Sequence, residues 1–168
     1  MEKQDSLLPL VGWREWIGLP DFGIASIKVK VDTGARSSAI HAINIEQFEQ
    51  DGRRRVRFQV APIQNDGDRL VTVETNLCEE RTVTDSGGHQ QLRPVVITSI
   101  CLGNAQWPVE LTLTNRDVMG FRMLLGRQAV RDRFWVDPSR SYLQSQRLAK
   151  DKGLDVSEGE ASEEQGPG

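Results

Sequence analysis

The chain has 168 residues, of which 38% are hydrophobic, and its 21 Lys and Arg against 24 Asp and Glu give a formal net charge of −3. This length suits one domain with a sizeable core. No stretch approaches the roughly 20 apolar residues that cross a bilayer, and the N-terminus lacks a secretory leader, so we expect a cytoplasmic protein. The two cysteines, Cys78 and Cys101, are expected to be reduced and structural.

Charge is unevenly distributed along the chain. Residues 151–168 carry six acids against one base and no aromatic residue, which leaves 20 basic and 18 acidic residues for the rest. Such a segment buries too little apolar surface to offset its ordering entropy. We therefore predict an N-terminal extension at 1–10, a folded domain at 11–147 and an acidic, disordered tail at 148–168.

The first predicted strand ends in an unusual way. From Ile27 to Val31 apolar and polar residues alternate, as in a half-buried strand, and Asp32 is followed at once by Thr33 and Gly34. Beyond it, Ile43–Gln50 and Arg53–Val60 flank the turn dipeptide Asp51-Gly52. This pattern predicts a β-hairpin.

A second hairpin is predicted in the C-terminal half of the chain. Its strands, 94–103 and 106–115, meet at Gly103-Asn104. One face should be apolar and the other polar, with Trp107, Val109, Leu111 and Leu113 on the first and Glu110, Thr112 and Thr114 on the second. Turn residues at 65–68 and 85–88 separate further strands, and only 127–133 resembles a short helix. These signals predict a small all-β barrel or sandwich.

Asp-Thr-Gly at a strand end is suited to holding one carboxylate in place. Glycine lets backbone segments approach closely and lets its amide point at the acid, and the hydroxyl of Thr33 both donates and accepts. Downstream, Met123–Val130 is a second apolar strand that ends in glycine before a short helix. We expect the two strand ends to pack side by side beneath Asp32. The alternative without catalysis is that Asp32 is an ordinary turn residue whose side chain accepts hydrogen bonds from nearby backbone amides.

Four ordered segments resemble the retropepsin-like aspartic peptidases. Within that group the sequence is most similar to the bacterial family labelled ATP-dependent zinc proteases, which is associated with ATP-grasp ligases that add glutamates to a ribosomal protein. The segments are WREWIGLPDFGI (13–24), VDTGARSSAIHA (31–42), LRPVV (92–96) and VELTLTNRDVMGFRMLLGRQAV (109–130). The resemblance implies an all-β, retropepsin-like closed barrel, equivalent to a single pepsin-like lobe, with one short helix after LLGR.

The resemblance also implies a mechanism and an assembly. Two adjacent carboxylates share a proton, and one activates water while the other polarises the scissile carbonyl. Because the chain has a single Asp-Thr-Gly, this chemistry requires a homodimer with Asp32 of both copies at the two-fold axis. Asp32 would be the catalytic residue, held by Thr33 and Gly34. Ala35 and Arg36 would line the substrate channel, and Arg127 would also bind the substrate. A monomer should be inactive.

Such an enzyme also needs a flap over its substrate. The hairpin whose second arm runs into LRPVV has its tip at 86–89, so the resemblance favours Gly87 and Gly88 as flap residues. A plain surface turn is an equal alternative. An insertion relative to the short retroviral enzymes would then lie between Ala42 and Asn76.

Arg36 departs from the retroviral pattern, in which an acid follows the DTGA motif and pairs with the arginine that here is Arg127. Two arginines repel each other unless an anion lies between them. Either a nearby acid such as Asp132 intervenes, or the peptide substrate is itself acidic or glutamate-rich.

The family label mentions zinc and ATP, and the residues favour neither as a cofactor. The sequence has no GxxxxGK[ST] motif and no HExxH motif, and its two histidines, His41 and His89, are far apart. We predict no resident metal, and a metal held adventitiously by Asp32 and a histidine is the remaining alternative.

The function therefore has two interpretations. The first is a homodimeric aspartic endopeptidase, and the second is a non-catalytic binding or regulatory module of a glutamate-ligase system, with an ATP-grasp ligase as its partner. The arginines at 53–55 and Arg57 resemble a nucleic-acid patch, but without interleaved aromatic residues we interpret them as a solvated strand edge and expect no nucleic-acid partner.

Overall fold

A computed structural model describes residues 7–62, 69–84, 87–115 and 120–146 of the chain. The described residues form β-strands, a 3-10 turn at Pro20–Phe22 and a one-turn helix. In chain order these are β1 Leu10–Val11, β2 Arg14–Leu19, β3 Ile24–Asp32, β4 Ser38–His41, β5 Ile43–Gln50, β6 Arg53–Val60, β7 Val71–Asn76, β8 Glu79–Thr84, β9 Gln90–Leu102, β10 Ala105–Thr114, β11 Met123–Gly126, α1 Arg127–Val130 and β12 Trp135–Val136.

The main sheet closes on itself. Its strand order is β10-β4-β11-β3-β2-β9-β8, and β10 also pairs with β9, so six strands form a ring and β8 extends β9 outside it. Most neighbours are antiparallel, but β11 lies parallel to β3 and β10 lies parallel to β4. The predicted all-β closed barrel is confirmed.

The core fills this ring and continues under a second, three-stranded sheet. Fully buried side chains from the ring strands include Ile17, Val29 and Leu111, and Phe58 joins them from the second sheet. The rings of Phe22 and Phe58 meet edge to face at 5.6 Å between centroids. This contact fastens the second sheet to the barrel through buried apolar area.

The second sheet corrects the interpretation of the arginine run. It has the order β5-β6-β7, so β6, which carries the arginines, is the central strand and not an edge. Arg57 pairs with Glu46 at 2.7 Å and with Glu74 at 2.8 Å, and these acids lie on the two flanking strands. The arginines therefore take part in cross-strand ion pairs. This sheet occupies the predicted insertion between Ala42 and Asn76.

Both predicted hairpins are present. Asp51 and Gly52 have φ of 54° and 77°, as a tight hairpin turn requires, and Gly103 has φ of 60°. The one-sided pattern predicted for β10 fails at its end, because Thr112 and Thr114 are both only 4% exposed. At this end β10 is a ring strand paired with β4 on one side and β9 on the other, and both of its faces are buried.

The predicted short helix is present, but it spans only Arg127–Val130 and is followed by turns. Within the four described ranges, no helix is long and apolar enough to cross a membrane. The predicted acidic tail and the turn at 65–68 lie outside the described residues, and the predicted domain boundaries stay a prediction.

One buried carboxylate joins the two ends of the fold. Glu15 on β2 is fully buried, and its carboxylate accepts hydrogen bonds from the backbone N–H groups of Gly12, Leu143 and Gln144 at 2.7, 2.9 and 3.1 Å. It also accepts a bond from the Ser145 hydroxyl at 2.7 Å. The strand that pairs with β3 is thereby tied to a segment about 130 residues away.

The neighbouring contacts leave little room around this carboxylate. A Cβ at Gly12 would lie 2.2 Å from the carbonyl oxygen of Arg140, so only glycine fits there. Arg14 is also buried, with its guanidinium 4.7 Å from the Trp13 ring and 4.9 Å from the Tyr142 ring. The C-terminal segment is therefore packed closely against β2.

Replacing Glu15 should loosen this connection in a pH-dependent way. Glu15→Gln keeps the size of the side chain but turns an amide group toward backbone donors, so we expect a loss of about 2–3 kcal/mol in the free energy of unfolding. Burial raises the pKa of the Glu15 carboxyl above its ordinary 4.5, an effect that its hydrogen-bond donors partly offset. The stability that this carboxyl contributes is therefore greatest below pH 4.5 and declines as the pH rises through its folded pKa.

Urea unfolding of both proteins over a range of pH measures this effect. The stability difference between wild type and Glu15→Gln should narrow as the pH rises. A difference that widens with rising pH would mean that the folded-state pKa lies below the ordinary value.

Candidate active site

Asp32 is the last residue of β3, and its position is fixed by the neighbouring strand. β11 runs parallel to β3, with Gly126 in register with Asp32. The predicted pairing of the two strand ends is confirmed. Because both strands stop at the same level, the chain turns away on either side and leaves the half-buried Asp32 at the mouth of the barrel.

The residues after Asp32 form a tight corner. The Gly34 N–H donates to Oδ1 of Asp32 at 3.1 Å, and the Ala35 N–H donates to the backbone carbonyl of Asp32 at 3.1 Å. The glycine amide therefore points at the acid, as the sequence predicted. Thr33 is exposed, and its hydroxyl makes no hydrogen bond within the part of the chain that the structure describes. It is free to contact a second molecule.

The first residues of α1 are hydrogen-bonded to the backbone of the corner. Arg127 and Gln128 donate their backbone N–H groups to the carbonyls of Ala35 and Arg36 at 2.8 and 3.1 Å. These bonds satisfy amides that the first turn of a helix leaves unpaired. The segments on the two sides of the site are thus joined backbone to backbone.

Gly126 is the closest point between these two segments. A Cβ on it would lie 2.5 Å from the carbonyl carbon and oxygen of Ser37 and 3.0 Å from the carbonyl oxygen of Ala35. Its N–H donates to Oγ of Ser38 at 3.0 Å, and Ser38 is buried. Sequence reasoning missed Ser38, although a serine at the start of a strand with an apolar inner face was a usable signal.

The two predicted substrate arginines differ in their surroundings. The Arg127 guanidinium donates to the carbonyls of Thr33 and Gly34 at 3.3 and 3.4 Å, so it supports the corner. Arg36 is exposed. Among the described residues, no ion pair joins Asp132 to either arginine, so the expectation that this acid intervenes is not supported.

The candidate flap is a separate element. β8 and β9 pair as an antiparallel hairpin from Glu79 opposite Val95 to Thr84 opposite Gln90. Gly87 and Gly88 lie in its tip, where Gly88 has φ of 87°, a conformation that favours glycine. The hairpin that was predicted from the sequence is present, and its role as a flap stays a prediction. Residues 85–86 of the tip lie outside the described ranges.

The chemistry available to one chain follows from this geometry. The corner holds a single, half-buried carboxylate by one amide donor and places it at the end of a rigid barrel. One carboxylate can accept a proton, but it cannot also supply one in the same step. A proton-sharing pair at this position requires a second copy of the corner.

A ring of strands with an Asp-Thr-Gly corner at two parallel strand ends defines a retropepsin-like domain. The family model described as retropepsin-like aspartic endopeptidase RimB matches residues 10–147, and the chain belongs to this RimB-like family. The resemblance to the retropepsin-like aspartic peptidases is thereby confirmed.

Curated relatives carry a different name. Probable alpha-L-glutamate ligases of Desulfotalea psychrophila and Shewanella pealeana are 43% and 44% identical to this chain over 136 and 133 residues. The matches cover 81% and 79% of this chain. The chain spans only 29% of the length of either relative, so the ligase name refers to a much longer protein.

A solved structure shares the fold. A Legionella pneumophila protein of unknown function is 30% identical, and the match covers 81% of this chain and 98% of that one with a TM-score of 0.67. The barrel described above therefore corresponds to almost the whole of a relative whose structure is known.

The close approach at Gly126 generates a prediction. Gly126→Ala should lower the free energy of unfolding by about 2–3 kcal/mol, because its Cβ meets only backbone atoms that cannot move aside. Gly34→Ala should cost less stability, since its Cβ would lie 3.3 Å from Oδ1 of Asp32, a side-chain atom that can rotate. Urea unfolding of both variants tests this order. A Gly126→Ala protein as stable as Gly34→Ala would show that the corner is not tightly packed.

Proposed function

We propose that this protein is a homodimeric aspartic endopeptidase in which Asp32 of each copy contributes one carboxylate to a shared catalytic pair. The observation that carries the proposal is the Asp-Thr-Gly corner, in which the Gly34 amide orients Oδ1 of Asp32 at 3.1 Å. Membership of a family described as retropepsin-like aspartic endopeptidase supports it.

The proposed reaction uses one charged and one protonated Asp32. The charged carboxylate takes a proton from water as the water oxygen bonds to the scissile carbonyl carbon, and the protonated one gives its proton to the carbonyl oxygen. The intermediate then collapses with cleavage of the C–N bond. The leaving nitrogen receives the first proton, and the second returns to the carboxylate that donated it.

Other residues have supporting roles in this proposal. Gly34 orients the carboxylate, and the exposed Thr33 hydroxyl is placed to meet the second copy. Ala35 and Arg36 follow directly and would line the channel, with Gly87 and Gly88 closing over the substrate from the hairpin tip. Arg127 holds the corner through the carbonyls of Thr33 and Gly34 and adds positive charge nearby.

Charge at the corner supports an acidic peptide as the substrate. Arg36 is exposed and follows the corner directly, and the Arg127 guanidinium donates to the corner carbonyls of Thr33 and Gly34. Both arginines add positive charge to this part of the chain, which favours a substrate that carries a carboxylate. The glutamate-ligase name of the curated relatives is consistent with a glutamate-rich peptide.

The second candidate is a binding or regulatory module for a glutamate ligase, with Asp32 never meeting a partner copy. The observation in its favour is that the relatives named as ligases contain a segment 43% and 44% identical to this chain. A module of this kind would tolerate substitution of Asp32, whereas the proposed peptidase would not.

Asp32→Asn should abolish hydrolysis and leave the fold intact. Asparagine still accepts the Gly34 N–H but cannot exchange the proton, so we expect a loss of at least about a hundredfold in the rate of peptide cleavage. Circular dichroism and sedimentation equilibrium should match wild type. Asp51→Asn makes the same charge change in an exposed hairpin turn and should keep wild-type activity. Full activity in Asp32→Asn would support the binding module.

Acidic substrate preference can be measured with paired peptides. A peptide with an oligoglutamate tail should be cleaved about tenfold faster than the same peptide with glutamines, and added salt should reduce the difference. Arg36→Gln should also reduce the difference in cleavage rate between the two peptides. Equal rates for the two peptides would remove the argument for an acidic substrate and leave the catalytic proposal standing.

A further inference from the structure

A cavity lies beside the Asp32 corner, and its lining includes Ser38 and Gln128, which contact Gly126 and the corner. Its volume is about 270 Å³. It begins at Ser37, whose backbone is the surface that a Cβ on Gly126 would strike at 2.5 Å. The cavity and the corner therefore share one piece of backbone. Polar, charged and aromatic residues in its lining include Ser37, Trp107, Glu110, Gln128 and Arg133.

Trp107 forms a fixed wall of this cavity. It is only 5% exposed, its indole N–H donates to the carbonyl of Ala129 at 3.1 Å, and its ring lies 5.7 Å from the Phe134 ring. The guanidinium carbon of Arg133 lies 4.9 Å from the centre of the Trp107 ring. Stacking on a rigid indole restricts the guanidinium before any ligand arrives.

The charge of Arg133 is not neutralised within the described part of the chain. Arg57 and Arg81 are bound to glutamates there, but no such ion pair includes Arg133. Among the residues that the structure describes, Glu110 is the one acid that lines the cavity, and Arg81 already binds its carboxylate at 3.0 Å. Arg133 is therefore left with donor groups for an external anion.

Neutral donors face the same space. Gln128 and Ser37 are among the lining residues, and their side chains make no hydrogen bonds to other described residues. An amide, a hydroxyl and a planar guanidinium together match the several lone pairs of a carboxylate.

We propose that this cavity is a carboxylate-binding subsite, in which Arg133 receives a carboxylate of a peptide next to the Asp32 corner. The ligand would be either an acidic side chain or the free C-terminal carboxylate of the peptide, since both present the same group. As a substrate subsite it rests on the proposed peptidase function. As a binding site it depends only on the groups that line the cavity.

NMR titration of the full-length Asp32→Asn protein tests the subsite without turnover. The probes are acetyl-Ala-Ala-Glu-Ala-Ala-amide, the acetylated all-alanine peptide with a free C-terminus, and the amidated peptide with glutamine in place of glutamate. At least one carboxylate peptide should bind and shift the Trp107 indole signal, and the glutamine peptide should not. Whichever carboxylate binds identifies the source.

Arg133→Gln in the Asp32→Asn background should weaken that binding by about tenfold or more. Arg131→Gln is the matched control, because Arg131 is exposed nearby but does not line the cavity, and it should bind as the parent does. Unchanged binding in Arg133→Gln, equal binding of the glutamine peptide, or no binding by either carboxylate peptide would overturn the subsite. Failure of the peptidase proposal would instead be seen as absence of cleavage by the wild-type protein.

Discussion

The close contact of two backbone segments at Gly126 is the constraint on which the site depends. Gly126 is in register with Asp32, and the space beside it is filled by the backbone of Ser37. Because no side chain fits between them, the end of β11 and the corner after β3 behave as one unit. Asp32 is therefore positioned by backbone packing and by the Gly34 amide, and the Arg127 guanidinium supports the corner through the carbonyls of Thr33 and Gly34.

Other parts of the fold support the corner that holds Asp32. The closed ring of strands gives both strand ends a common, rigid origin, and the Glu15 carboxylate ties the strand beside β3 to the C-terminal segment. The cavity lined by Arg133 also includes Ser37, whose backbone lies against Gly126. The proposed carboxylate subsite therefore adjoins the segment that holds the proposed catalytic carboxylate.

Local chemistry determined which features the sequence could predict. The Asp51-Gly52 turn and the strand ending at Asp32 depend on residues next to one another, and both were recovered. The pairing of the strand ends at Asp32 and Gly126 was also predicted, but side-chain contacts between distant segments were not. Arg57 was assigned to an edge because its acidic partners lie on other strands, and the role of Glu15 was missed because its donors include residues about 130 positions away. The fold class was also supported by a family resemblance, without which the barrel and the sandwich were equivalent.

The central claim is that a single Asp32 corner is incomplete and that two copies form the catalytic pair. The most direct measurement mixes wild-type and Asp32→Asn protein under conditions where subunits exchange, and follows peptide cleavage at constant total concentration. If every active molecule needs both aspartates, activity should fall with the square of the wild-type fraction, to about one quarter in an equal mixture. Activity that falls only in proportion to the wild-type fraction, to about one half, would show that each copy acts alone and would contradict the account.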